Sequence, residues 1–206
     1  MKIILASDLS FLLKYGYDLT GIPKSEIKIG YVTTASKGSR DKTFIEKIKN
    51  AMQENHILFE EIDIEGKSKD EILSFFKNKN VIHIEGGNTF YLLKAIRENG
   101  FAEILKELLD EGKIYIGTSA GSYIMCPTIE VANWNETGRD RFGLTDFSAL
   151  NYVPFVLKVH YTDEQEQKVK ANLSTLQYPI RILRDGQGIL FENNKSMFFG
   201  GEETKF

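Results

Sequence analysis

The chain has 206 residues, 42% of them hydrophobic and 27% charged, with a net charge of -3 and a pI near 5.7. That length fills one domain and is short for two, and the ordinary hydrophobic content argues against extended disorder. A weakly acidic chain offers no broad basic surface to nucleic-acid phosphates, and one cysteine, Cys126, with three histidines gives neither an internal disulfide nor the usual makings of a transition-metal site.

The first apolar run, residues 2–6, is interrupted by Ser7, Asp8 and Ser10 before it reaches signal-peptide length, so it reads as a strand. No apolar stretch approaches the roughly 18 to 20 residues of a membrane span, and a cytoplasmic protein without a membrane partner is expected. Strand-length runs follow at residues 28–34, 58–62 and 81–84. Residues 113–117 are apolar without clean alternation, as expected of a central strand covered on both faces. Helical spacing appears over residues 42–54, where Phe44, Ile45, Ile48 and Met52 form a stripe, and over 89–109 with a break at Asn99-Gly100. Residues 133–143 are polar and carry glycines, which fits a flap beside a site or a plain surface excursion. Residues 155–161 then read as a strand, 163–176 as a helix, and 181–199 as short strands punctuated by Asp185-Gly186 and Asn193-Asn194. The sum is one doubly wound α/β domain over residues 1–206, with a mostly parallel central sheet flanked by helices. Its ligand site is expected at the carboxyl ends of the parallel strands.

Gly117-Thr118-Ser119-Ala120-Gly121 matches G-x-S-x-G directly after the central strand. On so tight a strand-to-helix turn, side chains flanking the serine would collide with strand and helix, and glycines at both ends relieve the clash. The turn would also aim the Ala120 N–H at a developing oxyanion. The plain alternative makes Ser119 an N-cap and the glycines packing aids.

A serine hydroxyl needs a base within hydrogen-bond reach. His56 sits at a helix end and reads as solvated, while His83, inside Val81-Ile82-His83-Ile84, reads as a core residue or a group near the site. His160 falls near the carboxyl end of a strand and is the best candidate. Glu85-Gly86-Gly87-Asn88-Thr89 marks a second strand-to-helix junction, where Gly87 could present a second oxyanion N–H and Asn88 could cap the helix.

Three blocks in order, Gly86-Gly87-Asn88-Thr89, Gly117 to Ser122 followed by Cys126-Pro127, and Val159-His160-Tyr161-Thr162, resemble the dipeptidase E and cyanophycinase family of serine peptidases across nearly the whole chain. The resemblance implies a class I glutamine amidotransferase-like, flavodoxin-like fold and hydrolysis of small peptides without a cofactor or metal. It also implies that Ser119 is the nucleophile, His160 the base, and Gly87 with Ala120 the oxyanion hole. Relatives carry the third triad member some fifteen to seventeen residues after the serine, which points to Glu136, with Asp163 as the substitute. After the histidine this chain reads Asp163-Glu164-Gln165-Glu166-Gln167 rather than offering a basic residue, so a preference for N-terminal aspartate is not implied; Arg139 and Arg141 are the arginines left to grip a substrate carboxylate.

The expected partner is a small peptide, not nucleic acid or membrane, and a homodimer is left open. The rival readings are a binding or regulatory module that keeps the fold without turnover and an α/β-hydrolase esterase, for which the interval from Ser119 to His160 is short. A glutaminase would want cysteine at position 119, where this chain has serine.

Overall fold

The computed structural model describes residues 1–134 and 141–206. A seven-stranded sheet takes, from edge to edge, the third, second, fourth, fifth, first, eighth and ninth strands of the chain. Strands β1 (Lys2–Ala6), β2 (Lys28–Val32), β3 (Leu58–Ile62), β4 (Val81–Ile84) and β5 (Ile114–Thr118) run parallel. β8 (Gly188–Glu192) and β9 (Lys195–Phe199) add an antiparallel hairpin beside β1. A separate parallel pair joins β6 (Val156–Lys158) to β7 (Ile180–Ile182).

The inner strands are apolar on both sides because both faces are covered. Ile3, Leu5, Val32, Ile82, Ile84 and Tyr115 point to one face, packed under α4 (Lys69–Phe76), α5 (Thr89–Glu98), α6 (Phe101–Asp110) and the short α7 (Ala120–Tyr123). Ile4, Ala6, Ile29, Tyr31, Val81 and Ile116 point to the other. That face is covered by α3 (Thr43–Glu54) and by α1 (Leu9–Phe11) and α2 (Tyr17–Leu19), which flank a π-helical stretch over Leu12–Gly16. The connection leaving β1 therefore covers one face and that leaving its neighbour β5 the other. Their divergence marks the carboxyl ends of these two strands as the place where ligands gather in such sheets.

The expected strands and helices are present, with end shifts that have local causes. β5, fourth of seven, is central as expected. The break between α5 and α6 falls at Asn99-Gly100, where Gly100 takes φ 68° and Asn99 Oδ1 accepts the Phe101 N–H. The helix expected over 163–176 contracts to α8 (Glu166–Asn172) between 3₁₀ turns. There the Asn172 and Thr175 side chains draw on the carbonyls of Lys168 and Asn172. The strand expected over 155–161 stops at Lys158, because two residues on His160 adopts φ 52°, which no strand admits. Among the described residues, no helix is long and apolar enough to cross a membrane.

Candidate active site

Residues from the carboxyl ends of β1, β4, β5 and β6 meet at this place. Ser119 heads α7 with φ 50° and ψ -106°, a conformation that costs about 1–3 kcal/mol and persists only where its surroundings impose it. They do so through several bonds. The Ser119 N–H donates to Ala6 O at 3.0 Å, Ser119 O accepts from the Ser122 and Tyr123 amides, and the Ser122 hydroxyl lies 2.8 Å from both Ala6 O and Gly117 O. The flanking glycines carry the packing that the sequence demanded. A Cβ on Gly117 would come within 2.5 Å of Gly121 O, and one on Gly121 within 2.0 Å of Ile84 O. Ser119 occupies the N-cap position, yet its hydroxyl makes no cap bond. It lies 3.0 Å from His160 Nε2 instead.

On the other side of the ring, His160 Nδ1 lies 2.6 Å from Asp185 Oδ1. A carboxylate there fixes the proton on Nδ1 and leaves the Nε2 lone pair facing the Ser119 hydroxyl. The hydrogen bond from His160 holds the Asp185 carboxyl below its ordinary range, against the opposing pull of its partial burial. Ser7, just past β1, completes the arrangement: its hydroxyl accepts the His160 N–H at 2.9 Å and donates to Asp185 Oδ1 at 2.9 Å. Asp8 Oδ1 accepts the Gly186 N–H at 2.8 Å, pinning the turn that carries Asp185.

Asp185 and Ser7 are the two residues that the sequence reading missed. Of its candidates for the acid, Glu136 lies outside the described residues. Asp163 is turned away, paired with the Arg184 guanidinium, which stacks 4.9 Å from the Tyr161 ring centroid. The place beside Nδ1 belongs to Asp185. Arg139 also lies outside the described residues, and Arg141 sits over the Phe147 ring. Cys126 is fully buried, which pushes its thiol far up and leaves it unreactive.

The Gly86-Gly87 turn lies against the serine, where a Cβ on Gly86 would approach Ser119 Cβ to 3.1 Å and Oγ to 3.7 Å. Gly87 has φ 141°, and a Cβ there would strike Ala35 C and O at 2.4 Å, so position 87 admits only glycine. Asn88 caps α5 as expected, its Oδ1 accepting the Phe90 and Tyr91 N–H groups at 2.9 Å each. Among the described residues the Gly87 and Ala120 N–H groups have no protein acceptor; Gly87 is half-buried and Ala120 fully buried.

Beneath this turn lies a buried polar group of side chains. His83 is fully buried, its Nε2 2.7 Å from Thr118 Oγ1, with Nδ1 unpartnered and its ring 5.0 Å from that of Tyr31. An orphaned lone pair costs less than an orphaned N–H, which puts the proton on Nε2. Burial lowers the His83 pKa to about 3 and raises that of Glu85 to about 7, although the Gly86 N–H and the Tyr31 hydroxyl, both donating to the Glu85 carboxylate, pull it the other way.

These two shifts oppose each other in the pH dependence of stability. Glu85, ordinarily near 4.5, binds its proton more tightly when folded, so stability falls as pH rises from about 4.5 to about 7. His83, ordinarily near 6.5, binds its proton less tightly when folded, so stability rises from about pH 3 to about 6.5. Between about pH 4.5 and 6.5 the slopes cancel. In urea titrations, Glu85→Gln should therefore gain stability relative to wild type by about 1.4 kcal/mol per pH unit across that window. Parallel curves for the two proteins would refute this pairing.

The chain is similar to known peptidases. Over all of its 206-residue alignment the chain is 30% identical to an uncharacterized peptidase of Pasteurella multocida, covering 98% of this chain and 99% of that one. It is 31% identical over 136 residues to a peptidase E of Nostoc, covering 66% of this chain and 53% of that one. The crystal structure of a Listeria monocytogenes protein with a provisional peptidase E designation superposes with a TM-score of 0.84 at 25% identity, covering 98% of each chain. A peptidase from an acI-B1 actinobacterium shares the fold with a TM-score of 0.70 at 13% identity, covering 97% of this chain and 87% of that one. Residues 12–203 match the profile of peptidase family S51, and the chain belongs to that family.

Proposed function

We propose that this peptidase is a serine-type enzyme cleaving the amide bonds of short peptides, dipeptides foremost, through an acyl-enzyme on Ser119. The observation that carries the reading is the continuous relay from Ser119 Oγ to His160 Nε2 at 3.0 Å and from His160 Nδ1 to Asp185 at 2.6 Å. In this scheme His160 takes the Ser119 proton as Oγ attacks the carbonyl carbon. Asp185 holds the imidazole in the required tautomer and stabilises the imidazolium. The Gly87 and Ala120 N–H groups receive the oxyanion. His160 then protonates the leaving amine, and a water activated by the same nitrogen hydrolyses the ester. The peptidase E names among the relatives make dipeptides with varied first residues the natural first substrates to try.

A fluorophosphonate probe followed by intact-mass measurement tests the chemistry. Wild type should gain one adduct, mapped by peptide digestion to Ser119, and Ser119→Ala should gain none. A wild-type protein that stays unlabelled would favour a non-catalytic binding module; an adduct elsewhere would move the nucleophile.

A further inference from the structure

The Gly86-Gly87 pair poses a conformational problem. Two successive glycines carry more backbone freedom than any other dipeptide, and a rotation of the peptide plane between them would replace the Gly87 N–H with a carbonyl oxygen facing the serine. An oxyanion hole with that plane reversed would repel the charge it must hold.

The two peptide planes that flank this one are each hydrogen-bonded. On the far side, the Asn88 N–H donates to Ala35 O at 2.9 Å. On the near side, the Gly86 N–H donates to Glu85 Oε1 at 2.5 Å. The Glu85 side chain is itself fixed. It is 1% exposed, and its Oε2 accepts the Tyr31 hydroxyl at 2.9 Å and lies 3.6 Å from His83 Nε2. His83 in turn reaches Thr118, the residue before the nucleophile, at 2.7 Å. One buried group of side chains thus ties the glycine turn after β4 to the serine turn after β5.

We propose that Glu85 is a positioning residue: it clamps the Gly86 amide so that the next N–H, that of Gly87, stays turned toward the oxyanion. This rests on the serine reading above and goes beyond it, because Glu85 touches neither substrate nor nucleophile and acts through the backbone. Substrate binding in the ground state asks little of the Gly87 N–H, whereas the tetrahedral intermediate asks much, so loss of the clamp should appear in kcat and leave KM alone.

The test uses three variants of the full chain, with steady-state kinetics on a cleaved dipeptide and the rate of fluorophosphonate labelling. Glu85→Ala should lower kcat and the labelling rate about 30- to 100-fold with KM within threefold of wild type, on the scale of a lost oxyanion donor. Glu85→Gln should come back to within about fivefold, since its amide oxygen still accepts the Gly86 N–H while its NH₂ donates to Tyr31. Tyr31→Phe, which frees one end of the carboxylate, should fall about three- to tenfold in kcat and decides the matter if Glu85→Ala does not fold. Wild-type kcat in Glu85→Ala or in Tyr31→Phe, or a loss expressed only in KM, would overturn the assignment. So would a Glu85→Gln as impaired as Glu85→Ala. These failures are separable from failure of the serine reading, in which wild type itself would not label at Ser119.

Discussion

His160→Ala should lower kcat by about 10⁴-fold or more on any peptide the enzyme cleaves, and Ser119→Ala should do the same. The double variant should be no worse than either single one, because nucleophile and base act as a unit and the residual rate comes from binding and oxyanion donors alone. Asp185→Asn should cost about 10³- to 10⁴-fold. An amide at that place can offer His160 Nδ1 an N–H instead of an acceptor, which turns the imidazole to the tautomer whose Nε2 proton faces the serine. Folding should survive all these changes, since the His160 and Asp185 side chains are 44% and 61% exposed and carry little of the core. Kinetics paired with urea denaturation reads both quantities. An Asp185→Asn protein that keeps a tenth of the wild-type rate would remove Asp185 from the relay.

The second large effect is one of stability. Gly121→Ala would drive a methyl group to 2.0 Å from Ile84 O, in a place bounded by strand backbone that has no room to yield. Relief requires parting α7 from β4, so the variant should lose about 4 kcal/mol or more, among the largest costs a point substitution carries. Gly112→Ala is the control. Its Cβ meets nothing within 4 Å, and only its φ of 90° opposes the change, at a cost of about 1–2 kcal/mol. Equal midpoints for the two variants in chemical denaturation would show that the elbow is looser than its contacts require.

Both predictions bear on what the sequence discloses and what it conceals. The strands, the elbow and the helix-capping Asn88 were legible because their signals are local: apolar runs of strand length, glycines that relieve a close approach, a side-chain oxygen two and three residues before the amides it caps. His160 was legible as one of three histidines by its place near a strand end. Asp185 was not, because Asp185-Gly186 reads as ordinary turn chemistry. Its role arises only when β8 docks antiparallel to β1 and brings the turn beside Ser7 and Asp8. The polar pair that follows β1 was a signal within reach, since it stands where ligands gather in this class of fold. Family likeness pointed toward Glu136 and the residues after the histidine, and Asp163 there proved to serve Arg184.

The bonds from Ser7 to Asp185 and from Asp8 to Gly186 each join positions 178 residues apart. Loops of that span are among the costliest to close entropically, and they form after shorter-range structure has gathered the chain. In the serine mechanism proposed above, the relay is therefore completed only when the turn before β8 docks beside β1. In that mechanism a chain whose last turn has not docked would hold Ser119 and His160 without the carboxylate that orients the imidazole, and would cleave poorly. Under that mechanism, full competence to cleave waits on the docking of a segment far along the chain from Ser7 and Asp8.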